Sequence, residues 1–279
     1  MRRDDIVLLD GAVGTSLWEK SDDRVPVWRY NIEKPHIVTE LANEYADAGA
    51  RIILANTFGA NRLAVRRTDY SVGQIVSAGV RLAREAVGGR AKVALAVGPL
   101  PVLMEPYGDL SEEEAYELFD EQISSGIGEK PDVIVLQTFF DADMMRVAAR
   151  AAAKHDLPIF SMMTFTAVGK SIMGHSVPYF VDAVKDLPIS AIGVNCSLGP
   201  EKAVSIIASF RQYTSLPLIF KPNAGKPILQ DGGEKVQFDV DTFVEDSLPA
   251  LEYDVKYIGG CCGSNASYIR ALGKRIFGR

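Results

Sequence analysis

The chain has 279 residues, 47% hydrophobic and 24% charged, with a formal net charge of −6, a size and balance that suit one large α/β domain. It has no Lys/Arg cluster to track phosphates, which argues against nucleic acid, and no run near the roughly 18 apolar residues that a membrane span needs. Only three cysteines are present, too few for a disulfide framework, so a metal or reactive-thiol role has to be weighed.

The N-terminal Met1-Arg2-Arg3-Asp4-Asp5 runs into a short apolar stretch and not into a signal-peptide core with a cleavage site, which predicts a cytoplasmic protein. Eight short apolar runs then follow: Ile6–Leu9, Arg51–Asn56, Lys92–Val97, Asp132–Leu136, Pro158–Met163, Ala191–Asn195, Pro217–Lys221 and Val255–Gly259. They are continuously apolar and not alternating, the pattern of strands buried on both faces of a parallel sheet. Helical periodicity fills the gaps at 36–48, 71–87, 112–127, 141–155, 178–186, 200–213, 240–251 and 265–276. Ser111-Glu112-Glu113-Glu114 is a capping box at the start of the third. Eight strand-then-helix units predict a (β/α)8 TIM barrel as a single domain over 1–279, with a doubly wound open sheet as the alternative. Gly225–Gly233 reads as a long loop after the seventh strand.

Chemistry on such a barrel gathers at the C-terminal ends of its strands. The first strand delivers Asp10 and the loop Gly11-Ala12-Val13-Gly14-Thr15, the second Asn56-Thr57, the fourth Gln137-Thr138 and the fifth Thr164. The sixth delivers Asn195-Cys196-Ser197, the seventh Lys221-Pro222-Asn223, and the eighth Gly259-Gly260-Cys261-Cys262-Gly263. All three cysteines therefore fall on one rim. Singly, each reads as a small buried hydrophobe. Together they read differently, because two are adjacent between glycines where apolar filler should have stopped, and Cys196 lies two βα units upstream.

Three thiolates with an open fourth position fit a catalytic zinc site better than a closed structural one. Soft sulfur ligation also disfavours magnesium, calcium or manganese. Such a set over-neutralises a divalent cation, leaving a poor activator of water and a good partner for a fourth, soft ligand. A free thiol with pKa near ~8.5 is mostly protonated at neutral pH, whereas a coordinating thiol is deprotonated outright. The chemistry that follows is alkyl transfer to sulfur. A metal-dependent hydrolase would call for His and Asp/Glu at the strand ends, where only Asp10 answers. A thiol or zinc sensor would leave Asp10, Asn56, Asn195 and Asn223 on the rim without a role. His155 and His175 are not needed as ligands. Met104, Met144, Met145, Met162, Met163 and Met173 read as gap fillers before rim residues, and Tyr107, Asn195 and Asn223 are candidate pocket liners.

Five ordered segments carry a resemblance: Leu8–Thr15, Ala55–Ala60, Gly193–Pro200, Lys221–Gly225 and Gly259-Gly260-Cys261-Cys262-Gly263. Over nearly its whole length the chain resembles the homocysteine S-methyltransferase family, which includes the homocysteine-binding barrel of cobalamin-dependent methionine synthase and betaine–homocysteine methyltransferase. The segments Asn195–Glu201 and Pro222–Pro227 are most similar to the methionine synthase barrel. The resemblance implies a (β/α)8 barrel, zinc on Cys196, Cys261 and Cys262, homocysteine as methyl acceptor and methionine as product. It implies too that Asp10 and the loop with Gly11, Gly14 and Thr15 hold the amino-acid end of the substrate, with Asn56, Gln137 and Asn195 as further substrate-binding candidates. Exposed N–H groups of such a loop suit a carboxylate, and Asp10 suits an ammonium. Taken alone, Gly11 and Gly14 read as an ordinary βα turn.

One position departs from the family. Many members carry a glutamate that receives the substrate ammonium where this chain has Gln137. A neutral amide lacks the charge, a loss of order 1 kcal/mol or more. Either Asp10 carries the ammonium largely alone or the acceptor is a thiol without that amine. Methionine synthase carries folate and cobalamin modules after its barrel, and this sequence ends at Arg279. The donor is therefore expected as a small molecule or on a separate protein: methylcobalamin on a corrinoid protein first, then betaine, a methylsulfonium compound or methyl-folate.

Overall fold

The computed structural model describes residues 2–226 and 236–278. Eight strands form the frame: β1 (Val7–Leu8), β2 (Ile52–Leu54), β3 (Lys92–Val97), β4 (Val133–Phe139), β5 (Ile159–Met163), β6 (Ile189–Asn195), β7 (Leu218–Lys221) and β8 (Val255–Ile258). They pair in parallel in the order β1-β8-β7-β6-β5-β4-β3-β2. A parallel bridge between Leu9 and Ile52 joins the two ends of that series. The ring is thus a (β/α)8 barrel, and the open doubly wound sheet is excluded.

The strands are covered by α1 (Pro35–Asp47), α2 (Val72–Val87), α3 (Glu112–Ile127), α4 (Ala142–Ala152), α5 (Val177–Val184), α6 (Pro200–Tyr213), α7 (Val240–Ser247) and α8 (Ala266–Phe277). The Ser111–Glu114 capping box opens α3 as expected, and Ser71 with Gln74 makes a second at α2. The seventh helix is shorter than its periodicity suggests, because Pro249 removes a backbone donor; Leu248–Tyr253 continue as a 3-10 helix. Of the loop expected at Gly225–Gly233, Gly225–Lys226 pair with Val236–Gln237 in a short antiparallel ladder, and residues 227–235 lie outside the described residues. Among the described residues no helix is long and apolar enough to cross a membrane.

The core has two layers, which is why the strands read as continuous apolar runs. Leu9, Ala94, Val133, Val135, Phe160, Met162, Ala191 and Ile219 fill the barrel interior. Their neighbours of opposite parity, such as Val93, Leu95, Ile134 and Leu136, pack under the helices. The inward parity continues from Val133 and Val135 to Gln137, from Ala191 through Gly193 to Asn195, and from Ile219 to Lys221. Polar residues thus replace apolar filler at the top of the barrel. At Gly193 a Cβ would stand 1.9 Å from the Ile219 carbonyl oxygen, so only glycine lets β6 and β7 approach this closely.

Candidate metal centre

After Asn195 the chain leaves β6 through two consecutive left-handed residues, Cys196 at φ 62° and Ser197 at φ 61°. Non-glycine residues seldom adopt this region, and a pair of them marks a turn imposed by its surroundings. The turn is held by Cys196 N–H donating to Lys221 O at 3.1 Å, Leu198 N–H donating to Cys196 O at 2.7 Å, and a hydroxyl contact between Ser197 and Thr164. On the facing side Cys261 N–H donates to Pro222 O at 2.8 Å, and Ala224 N–H donates to Cys262 O at 2.9 Å. The two turns bring all three sulfurs within 4.8 Å of one another, with Cys196 Sγ 3.8 Å from Cys262 Sγ. Two thiolates on a tetrahedral zinc at about 2.3 Å stand about 3.8 Å apart, so the donor set fits that ion in kind and in spacing.

Asn195 supports this cluster from behind. Its Nδ2 lies 3.6 Å from Cys261 Sγ and donates to Thr138 Oγ1 at 2.7 Å, while its Oδ1 accepts the Thr138 N–H at 2.8 Å. Thr138 sits at φ 62°, an outlier for a β-branched residue.

The three thiols share protons unequally. Hydrogen bonds from Cys196 and Cys262 hold Cys261 well below the usual thiol range, helped by the Lys221 charge and the Asn195 amide, while burial opposes them. Cys196 is pushed far up, first by its hydrogen bonds to Cys261 and Cys262 and then by burial. For Cys262 the contact with Cys196 lowers the value, but the contact with Cys261, its charge and burial outweigh it and push the thiol up to about 12. A bound cation would displace the protons these thiols hold.

The other predicted residues fall around the same spot in different roles. Asp10 is fully buried, its Oδ1 2.5 Å from Lys221 Nζ and its Oδ2 accepting the Leu54 N–H at 2.7 Å. Burial pushes its carboxyl up, opposed by the Lys221 ammonium and the Leu54 amide. The partner of Asp10 is therefore Lys221, to which the sequence assigned no role. Gly11 is forced by close packing: a Cβ there would meet Tyr45 Oη at 2.8 Å and Ser264 Oγ at 2.9 Å. Gly14 begins a short helix, Gly14–Glu19, and Thr15 Oγ1 accepts the Gly263 N–H at 3.3 Å, tying that loop to the Cys261-Cys262 turn. The Asn56 amide donates to Val27 O at 2.7 Å and Asn31 Oδ1 at 2.8 Å, so its hydrogens are spent on the wall.

Between these groups lies a cavity of about 280 Å3, lined by the loop 11–15, Trp18, Val27, Phe58, Gln137, Thr138, Lys221 and the three cysteines. Its walls are largely apolar, and among the described residues they include no carboxylate. A larger cleft of about 440 Å3 opens at the other end of the barrel, by Asp47, Arg51 and Lys274, and brings no thiol into play. Trp18, Val27, Phe58 and Lys221 were missed as site residues. The signal for Lys221 was available, since a lysine closing the apolar run Leu218-Ile219-Phe220 needs a buried partner.

Tyr107 is largely exposed, and Asn223 is buried with its Oδ1 unpartnered among the described residues. Met144, Met145, Met162 and Met163 are core. His175 stands with Asp141 and Asp143 in a second cluster. There, however, Asp141 caps α4 through the N–H groups of Asp143 and Met144, and His175 Nδ1 accepts the Ala142 N–H at 3.0 Å. That cluster is accounted for by helix capping.

Residues 7–276 match the family model described as homocysteine S-methyltransferase. The chain is 24% identical to methionine synthase of Mycobacterium tuberculosis and 23% identical to that of Mycobacterium leprae, in each case over 97% of its own length and 24% of the relative's. It thus spans about a quarter of these relatives. Among solved structures it superposes on the oxidised form of the homocysteine methyltransferase MmuM from Escherichia coli with a TM-score of 0.81 at 19% identity, covering 97% of this chain and 96% of that one. The metallated form of the same protein gives 0.80 at 20% identity over the same shares, a likeness of fold.

Proposed function

The chain belongs to the homocysteine S-methyltransferase family, and we propose that it uses zinc on Cys196, Cys261 and Cys262 to make a small thiol the acceptor of a methyl group. The observation that carries this reading is the convergence of three sulfurs within 4.8 Å on the floor of an apolar cavity at the C-terminal end of the barrel. Zinc held there supplies a soft Lewis acid that keeps the incoming thiol deprotonated and nucleophilic.

The chain's own residues prepare the reaction. Asn195 orients Cys261, and the left-handed turn at Cys196-Ser197 aims the sixth-strand sulfur at the other two. Trp18, Val27 and Phe58 cover the carbon chain of the acceptor and keep water from the sulfur. The loop 11–15 faces the far end of the acceptor. No side chain need act as nucleophile, because the acceptor sulfur attacks the methyl group in line.

Homocysteine is the acceptor that the family supports, and methionine its product. For the donor the reading takes a methylated corrinoid presented by a protein. The loops after β3 and β5, on the same rim, support it by leaving the apolar side chains Val102, Leu103, Tyr107, Val168 and Ile172 exposed. The test is to measure bound zinc and then methyl transfer from methylcobalamin to homocysteine. Zinc bound at about one ion per chain and lost in Cys261→Ala together with transfer is the expected result; undiminished transfer by Cys261→Ala overturns the mechanism.

A further inference from the structure

Two walls of the acceptor cavity are stitched to each other. One is the loop 11–15 after β1; the other is the turn 260–264 after β8, which carries Cys261 and Cys262. Gly260 N–H donates to Asp10 O at 3.1 Å, Ala12 N–H to Ser264 O at 3.1 Å, and Gly263 N–H to Thr15 Oγ1 at 3.3 Å. Two buried hydroxyls reinforce these ties. Tyr45, on α1 and 1% exposed, donates to Ala12 O at 2.6 Å, stands 3.2 Å from Ser264 O and receives the Ser16 hydroxyl at 3.3 Å. Ser264, also 1% exposed, donates to Cys261 O at 2.7 Å. Its hydroxyl occupies the space that a Cβ on Gly11 or Gly260 would need, so the lack of a side chain at both positions is what admits it.

We propose that Tyr45 and Ser264 are positioning residues that fix the span from the loop 11–15 to the Cys261-Cys262 turn, and that this span sets the length of thiol the site accepts. The inference rests on the proposed thiol methyl transfer and deepens it. An acceptor whose sulfur lies at the metal and whose polar end lies at the loop bridges that span, so a chain one methylene shorter or longer cannot satisfy both ends. The selection needs walls that do not yield. The Tyr45 ring is packed in the core, and Ser264 is wedged between two backbone segments, so neither wall shifts without breaking buried hydrogen bonds. Neither hydroxyl touches the acceptor; both act through the backbone that does.

The test titrates cysteine, homocysteine and 2-amino-5-mercaptopentanoate, which differ by one methylene each, calorimetrically into the zinc-loaded protein. The parent should prefer homocysteine to either neighbour by about tenfold or more, the scale of one methylene in a fitted site. In Tyr45→Phe, which frees Ala12 O, that preference should shrink about fivefold, the scale of one lost hydrogen bond. Ser264→Ala should shrink it as well, and either variant decides the matter if the other fails to fold. A loss of fold stability alone would weaken all three thiols together and leave their ratios unchanged. Unchanged ratios in the variants, or a parent indifferent to chain length, overturn the inference and leave thiol methyl transfer intact. Absence of zinc-dependent binding of any of the three thiols by the parent overturns both.

Discussion

Asn195 grips Thr138 twice, accepting its N–H at 2.8 Å and donating to its hydroxyl at 2.7 Å, and so holds a β-branched residue at φ 62° directly behind Cys261. The strain at Thr138, Cys196 and Ser197 persists because these hydrogen bonds over-determine it. Asn195→Ala should therefore weaken zinc retention about 10- to 100-fold, the usual effect of removing an outer-shell partner. It should also cost about 1–3 kcal/mol by leaving the Thr138 amide unpaired. Thr138→Gly removes the left-handed strain and keeps the amide bond, so its stability should stay within about 1 kcal/mol of the parent. Chelator competition and urea unfolding measure the two effects separately; equal zinc retention by Asn195→Ala would show that the amide does not orient the ligand.

Asp10 and Lys221 form an ion pair with side chains 1% and 2% exposed. Removing one partner of such a pair strands the other charge, at about 3–5 kcal/mol, whereas replacing both with groups of similar shape costs far less. Asp10→Asn and Lys221→Met should each be strongly destabilised in urea, and the double variant should be more stable than either single one. Additive losses in that cycle would mean that the two groups do not act as a pair.

The difference between what the chain disclosed unaided and what it withheld follows from range. All eight strands were legible because a strand covered on both faces must be apolar at successive positions, and such runs stand out against helical spacing. The cysteine cluster was legible because strand ends on one rim converge in this fold. What escaped was pairing across the barrel. Lys221 and Asp10 are 211 positions apart, and nothing in the local pattern of either says that the carboxylate is already engaged. The pairing of Asn56, which lines the cavity, escaped for the same reason: its amide is consumed by Val27 and Asn31, residues of a connecting segment with no periodicity to mark them.

The wall that carries Val27 depends on a titrating group. Asp23 is held at about 2, below the usual aspartate value near 3.8, by Lys34 and then by the Tyr30 hydroxyl. Its folded value is depressed, so its contribution is complete above about pH 4 and is lost as pH falls toward 2. Asp23→Asn should be less stable than the parent at neutral pH and indistinguishable from it near pH 2, read by thermal unfolding across that range. A constant gap at every pH would exclude the carboxylate as the source.

Gly11 and Gly14 look alike in the sequence but face different surroundings. A methyl group on Gly11 would press on Tyr45, with Oη at 2.8 Å and Cε1 at 2.9 Å. That ring cannot withdraw, since it is buried in the core and its hydroxyl donates to Ala12 O at 2.6 Å. The loop must move instead, and with it the tie from Thr15 to Gly263 beside the cysteines. Gly11→Ala should cost about 1–3 kcal/mol as overpacking and lower thiol affinity as well. At Gly14 the nearest atom to an added Cβ is Val27 Cγ2 at 4.0 Å, and the residue opens the helix Gly14–Glu19. Gly14→Ala should therefore be neutral or stabilising by up to about 1 kcal/mol, with thiol binding retained. If both variants lost thiol binding while keeping their stability, the glycines would be serving the ligand through backbone approach and not the packing around Tyr45.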